Sequence, residues 1–186
     1  KPRPAVITLS FSALLFAGAT YLASERHVGD LHAGAPELRA EARYNQDITE
    51  LTKRYNVTTD VLVVIAEVGA AVGINPCRSD DVMAAQDNLH WYLENIDGVT
   101  KVISLSSVAK RALSGYAEGN LKWTYLPRNE RALAFATSVV DPSTGLINEA
   151  CSIMPIYVFT KDHKATTISH IIETVESYND KYRDLD

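Results

Sequence analysis

Val61-Leu62-Val63-Val64-Ile65-Ala66-Glu67-Val68 decides the fold class of this chain. The run is short, continuous and rich in β-branched residues. A strand with one wet face alternates apolar and polar residues, so this one reads as buried on both faces and is expected to be the central strand of a sheet. Gly69, Gly73 and Pro76 then break the chain. Ser79 is placed to cap a helix whose first turn carries Asp80 and Asp81, at the end where the helix dipole favours negative charge. Val82, Ala85, Leu89, Tyr92, Leu93 and Ile96 keep helical spacing to about Asn95. Asp97-Gly98 ends that helix, and a second β-branched run covers Val99 to Leu105.

Further along, Ser106 or Ser107 is expected to start a shorter helix on Val108, Ala112, Leu113 and Tyr116, stopping at Gly115 to Gly119. Pro127 suits the first turn of another helix, with Leu133, Ala136 and Val140 on one side and the turn residues Asp141-Pro142-Ser143-Thr144-Gly145 after it. A third strand is expected at Ser152 to Thr160, although Pro155 lacks an N–H and prefers an edge or a bulge. The last helix, about Ala165 to Tyr182, gathers Ile168, Ile171, Ile172, Val175, Tyr178 and Tyr182 on one face. The order β-α-β, two inserted helices, then β-α is α+β. It predicts a ferredoxin-like split βαβ unit that lacks its last strand, so the domain reads as truncated.

Upstream of the first strand, Tyr44, Ile48, Leu51 and Tyr55 recur at i, i+4, i+7 and i+11 within Ala40 to Tyr55, with Glu41, Arg43, Asp47, Glu50 and Lys53 off the stripe. This helix is expected to lie on the sheet. Gly29, Gly34 and Pro36 mark a loop before it. Before that loop, Pro4 to Ala23 runs without a charge, long enough for a hydrocarbon core of roughly 30 Å. It reads as a membrane helix. Lys1 and Arg3 precede it and Glu25 and Asp30 follow it, which places a short cytoplasmic start and a transmembrane helix in residues 1–24 and an extracytoplasmic domain in residues 25–186. Two other readings compete. Ala17-Gly18-Ala19 suits a cleaved signal peptide, and an apolar helix can also be a buried core helix.

The rest of the composition excludes more than it assigns. The 186 residues carry a net charge of −5 with no basic cluster, so neither nucleic acid nor an anionic membrane surface is an expected partner. No repeat or low-complexity run is present. Five histidines, His27, His32, His90, His163 and His170, lack the Cys or carboxylate cluster that would complete a metal site. His90-Trp91-Tyr92 reads as a partly solvated helix face. There is no Gly-x-Ser-x-Gly, phosphate loop or paired-carboxylate motif, so neither enzymatic activity nor a cofactor is expected. Asn56-Val57-Thr58 is formally a glycosylation sequon and is taken as incidental. The only cysteines, Cys77 and Cys151, fall in the part read as extracytoplasmic, where a disulfide persists; spacing alone leaves their pairing open.

Several phrases carry a family resemblance. Gly29-Asp30-Leu31-His32-Ala33-Gly34-Ala35-Pro36-Glu37-Leu38 after a membrane helix, Arg43-Tyr44-Asn45-Gln46-Asp47 and the strand from Asp60 to Glu67 are three of them. Leu126-Pro127-Arg128-Asn129, Ser143-Thr144-Gly145-Leu146-Ile147-Asn148 and Met154-Pro155-Ile156-Tyr157-Val158-Phe159-Thr160 complete the set. Together they resemble a periplasmic section of the resistance-nodulation-division (RND) transporters, nearest the branch related to large mycobacterial membrane proteins and predicted hydrophobe exporters. The resemblance covers nearly the whole chain, rests on section order and short phrases, and favours the second half of such a transporter. It implies a porter segment of a proton-driven exporter of hydrophobic or lipid-like cargo in the inner membrane. The implied partners are the rest of the transporter chain and other protomers. Proton-relay carboxylates of that family lie in other membrane helices, and Pro4 to Ala23 contains no titratable residue.

Tyr116, Trp123 and Tyr125, with Trp91, suit a cargo path or an interface, since aromatics give large, adaptable contact surface; core or subunit packing is the competing role. Gly115 to Leu126 is the expected mobile element. The alternative to an exporter segment is a stand-alone, membrane-tethered or secreted binding or assembly domain without enzymatic activity.

Overall fold

The computed structural model describes residues 3–26, 29–30, 38–39, 41–55, 58, 60–69 and 75–183. Lys1, His27, His32, Gly34, Pro36, Gly73, Asn56 and Val57, which figure in the sequence reading, lie outside the described residues. Eleven elements follow one another: α1 (Arg3–Ser24), β1 (Gly29–Asp30), α2 (Arg43–Arg54), β2 (Val61–Glu67), α3 (Asp80–Glu94), β3 (Val99–Ile103), α4 (Leu105–Tyr116), α5 (Glu130–Thr137), β4 (Ile153–Thr160), β5 (His163–Lys164) and α6 (Ala165–Arg183). The chain is mixed helix and sheet, as expected.

α1 is long and apolar enough to cross a membrane, and none of its apolar span is buried against the rest of the protein. That removes the core-helix reading. Both threonine hydroxyls bond within the helix, Thr8 Oγ1 to Pro4 O at 3.0 Å and Thr20 Oγ1 to Phe16 O at 2.8 Å, so these two present no unpaired donor to an apolar surrounding.

The main sheet has three strands in the order β2-β4-β3, with β4 antiparallel to both neighbours. This corrects the first expectation: β2 is an edge strand and β4 is the centre. The register pairs Val61 with Phe159, Val63 with Tyr157 and Glu67 with Ile153. Burial along β2 alternates, with Val61, Val63, Ile65 and Glu67 exposed and Leu62, Val64 and Ala66 partly covered. A run that is apolar apart from Glu67 therefore has one open face. Ile153 shares that open face across the sheet, whereas Met154, Ile156 and Val158 are buried on the other.

Pro155 stands in the central strand without costing a ladder bond. Ser152 O accepts from Val68 N and Thr160 N donates to Asp60 O, so even-numbered positions of β4 turn their polar groups to β2 and odd-numbered ones toward β3. On that side the pairing with β3 stops at Ile103 and Tyr157, two residues short of Pro155.

The covered face packs on α3 and α6 through Leu89, Leu93, Val102, Ile156, Val158 and Ile171. Tyr178 of α6 donates its hydroxyl to Ala85 O of α3 at 2.7 Å, tying the two helices together. Ile172, assigned to the buried face of α6, is exposed. Between α3 and β3, Gly98 has φ +94, and a Cβ there would stand 3.0 Å from Thr167 Cγ2. A second core lies at the other end, where α4 and α5 gather Met83, Leu105, Ala109, Leu113, Leu133 and Ala136 around Met154.

Three local expectations shift. α4 starts at Leu105 because Ser104, not Ser106 or Ser107, forms its capping box with Ser107. α5 starts at Glu130, three residues after Pro127, because Asn129 Oδ1 accepts from Arg131 N and Ala132 N. α2 does not lie on the sheet: Tyr44, Leu51 and Tyr55 remain exposed.

Candidate functional site

The aromatic residues singled out by sequence sit on the surface beside the second core. Tyr116 ends α4, Trp123 closes the short 3-10 turn Leu121–Trp123, and Tyr125 follows it. That turn exists because Asn120 Oδ1 accepts from Lys122 N at 3.0 Å and Thr124 Oγ1 donates to Leu121 O at 2.7 Å. All three rings are exposed, as are Leu121, Phe135 and Val139 nearby in the chain fold. Core packing is thereby excluded for them. Tyr116 meets Phe135 of α5 with ring centroids 4.6 Å apart. Among the described residues, no ring contact joins Tyr116, Trp123 and Tyr125 to one another.

Tyr125 has a different setting. With Leu126, Pro127 and Arg128 it forms one wall of a cleft of about 480 Å³ whose other wall is the first half of α3: Asp80, Asp81, Met83, Ala84, Asp87 and Asn88. The cleft has the size of a small-molecule site and both apolar and charged walls. Trp123 does not line it.

Beyond Asp87 the same helix carries a buried polar cluster that the sequence reading missed. His90 is 6% exposed, not solvated. Its Nδ1 lies 2.9 Å from Ser104 Oγ, which lies 2.8 Å from Ser106 Oγ; Ser106 N donates to Gln86 Oε1 at 2.9 Å. Gln86 Nε2 has no hydrogen-bond partner among the described residues. Glu94 Oε2 stands 3.7 Å from His90 Nε2, and Lys110 Nζ pairs with Asp87 Oδ1 at 2.6 Å. Burial pushes the His90 imidazole below its usual range; Glu94 opposes this, Lys110 adds to it and Asp87 opposes it. A Ser-His-Glu set invites a nucleophilic reading, but Ser104 is fully buried and its oxygen already caps α4. The cluster ties α3 to the start of α4. Its sequence signal was the spacing of Met83, Gln86, His90 and Leu93, one inward face on which two polar residues alternate with apolar ones.

Cys77 and Cys151 are bonded to each other, with Cα atoms 5.7 Å apart. Sequence could not decide this because it depends on strand direction. With β2 and β4 antiparallel, the end of β2 lies beside the start of β4, and the 3-10 turn Pro76–Arg78 carries Cys77 back to it. Both sulfurs lie within the second core.

At the opposite corner, His163 Nδ1 stands 4.0 Å from Asp60 Oδ1. Asp162 accepts from Thr167 Oγ1 at 2.7 Å and from Lys164 N at 3.3 Å, and pairs with Lys164 Nζ at 2.8 Å. Partial burial raises its affinity for a proton, but those hydrogen bonds and the Lys164 charge outweigh it and hold the carboxyl below its usual range. Among the described residues, no three His, Cys, Asp or Glu side chains converge as a metal site.

No protein-family model matches this chain, and neither a curated protein nor a solved structure does.

Proposed function

We propose that residues 25–186 are the extracytoplasmic porter segment of an RND-type exporter in the inner membrane, moving hydrophobic or lipid-like cargo. On this reading the segment carries no catalytic site and works with the rest of the transporter chain and with other protomers. One observation supports it above the others. The strands that come first, second and third in the main sheet lie in the order first, third, second, with helices on one face and the outer edge of β2 unpaired among the described residues. That order supports reading the sheet as part of a split βαβ, ferredoxin-like unit in which a fourth strand would lie beside the first. Placed after a helix of membrane-spanning length, such a unit fits a section of a larger transport machine. The exposed apolar residues of β2 and the aromatic surface of Tyr116, Trp123 and Tyr125 supply contact area for neighbouring parts or cargo.

The test is export in cells carrying the complete transporter. Trp123→Ala with Tyr125→Ala should impair cargo efflux at matched protein levels while the protein stays folded. Unimpaired export with both rings removed rejects the cargo-path or interface role of these residues. Reporters active on only one side of the membrane, fused after Arg39 and after Asp186, should both report the extracytoplasmic side; cytoplasmic activity at both positions rejects the topology.

A further inference from the structure

α2 is the one long amphipathic element that finds no cover among the described residues. Tyr44, Leu51 and Tyr55 of its stripe are 50%, 47% and 61% exposed, and only Ile48 is partly covered. What holds the helix lies on its flank, where Asn45 Nδ2 donates to the carbonyls of Leu38 and Arg39 at 3.3 and 3.1 Å. The charges occupy the remaining arc, with Arg43 against Asp47 at 3.6 Å and Arg54 against Glu50 at 2.9 Å. Lys53 projects opposite the stripe by helical spacing.

Its attachment points lie together. The chain leaves the folded domain at Gly29–Asp30, paired with Lys164 and His163. It returns at Asp60, whose carbonyl accepts from Thr160 N at 3.0 Å and whose carboxylate faces His163. In the chain, α2 therefore falls between two points that meet at one corner of the domain. That corner is the one next to α1: Ser24 ends the helix and Gly29 begins β1, a stretch that spans at most about 18 Å at 3.3–3.6 Å per residue.

We infer that α2 lies in the lipid–water interface of the membrane crossed by α1, with Tyr44, Ile48, Leu51 and Tyr55 turned to the acyl chains. The inference rests on α1 spanning the membrane. Tyrosine stands at both ends of the stripe, where a ring can sit in the apolar boundary and its hydroxyl among the headgroups. A second copy of the chain is the poorer occupant. Four side chains on a helix of about 18 Å fall far short of the roughly 20–30 residues a side in a stable protein interface, whereas a lipid surface needs no matching shape. The helix would then hold the domain's α1-side corner against the bilayer.

The test uses the full chain in phosphatidylcholine–phosphatidylglycerol vesicles. Because the two native cysteines are bonded to each other, the single variants Leu51→Cys, Lys53→Cys and Leu14→Cys can each take one nitroxide label. Relaxation by oxygen, which concentrates in lipid, is compared with relaxation by a water-soluble nickel chelate. The label at 51 should favour oxygen several-fold over the label at 53, and the label at 14 should sit deepest. Equal nickel access at 51 and 53 with 14 in lipid overturns the inference alone. Nickel access at 14 overturns the membrane span and the inference together. Spin–spin broadening at 51 that disappears on dilution with unlabelled chain places a second copy on the stripe and overturns the inference as well.

Discussion

Replacing both Cys77 and Cys151 by alanine should destabilise the folded domain by about 4.5 kcal/mol. The bond closes a loop of sequence separation 74. Loop-closure entropy for that length is about 15 cal/mol/K, or about 4.5 kcal/mol at 25 °C, acting on the unfolded chain. Alanine is the right replacement because both positions are buried in an apolar cluster, where serine would add a hydroxyl to desolvate. The folded register should survive, since Val68 N still bonds Ser152 O at 2.9 Å and Glu67 still faces Ile153. Urea unfolding of the full chain in detergent micelles, followed by the fluorescence of Trp91 and Trp123, measures the change. The midpoint should fall and the slope should rise, because the uncrosslinked unfolded chain exposes more surface. A stability loss under about 1 kcal/mol would refute the entropic reasoning. Two reactive thiols in oxidised, denatured wild-type protein would refute the bond itself.

His90→Leu should cost about 1–3 kcal/mol by stripping a partner from buried Ser104, measured by the same urea titration. It should also flatten part of the pH dependence. Because the folded state holds His90 below its ordinary 6.5, its stabilising effect is complete above that value and is lost as pH falls through 6.5 toward the folded value; a variant with unchanged acid sensitivity would contradict this. Asp162→Asn should weaken the start of α6 by about 1 kcal/mol. The depressed carboxyl makes its contribution complete above 3.8 and lost as pH falls below it, so wild type and variant should converge in acid titrations. Gly98→Ala should destabilise by about 1 kcal/mol or more, from φ +94 and the closeness of Thr167; an unchanged melting temperature would count against that strain.

The legible parts of the fold were those set by local chemistry. Ser79 with Asp80 and Asp81 placed the start of α3, Asp97-Gly98 placed its end, and the spacing of Ile168, Ile171 and Val175 placed α6. What failed depended on tertiary neighbours. Val61 to Val68 is apolar at every position but Glu67, and periodicity cannot tell a strand covered twice from one whose second face stays bare. Pro155 argues against a central place for β4, although a missing N–H matters only if a partner strand extends past it. Residue type alone points His90 to the surface, while its position between Met83 and Leu93 on the inward face decides its burial. At the candidate site, sequence named Tyr125 but not the wall of α3 opposite it, because that wall is brought there by α3 packing on the inserted helices.

Because β4 is the last of the three main strands in the chain and the middle one in space, the sheet cannot begin to assemble until β4 itself has been made. Among the described residues β2 and β3 share no ladder and each pairs with β4, so neither gains that partner until residues 153–160 have been made. At about 5–20 residues per second, the interval from Glu67 to Thr160 lasts roughly 5–20 s. During that time Val61 to Ala66, apolar, β-branched and free of proline, is an unpaired segment of the kind that seeds cross-β association. Chains arrested between β3 and β4 should therefore aggregate, and a chaperone that holds Val61 to Ala66 until β4 emerges would raise the yield more than one acting after synthesis.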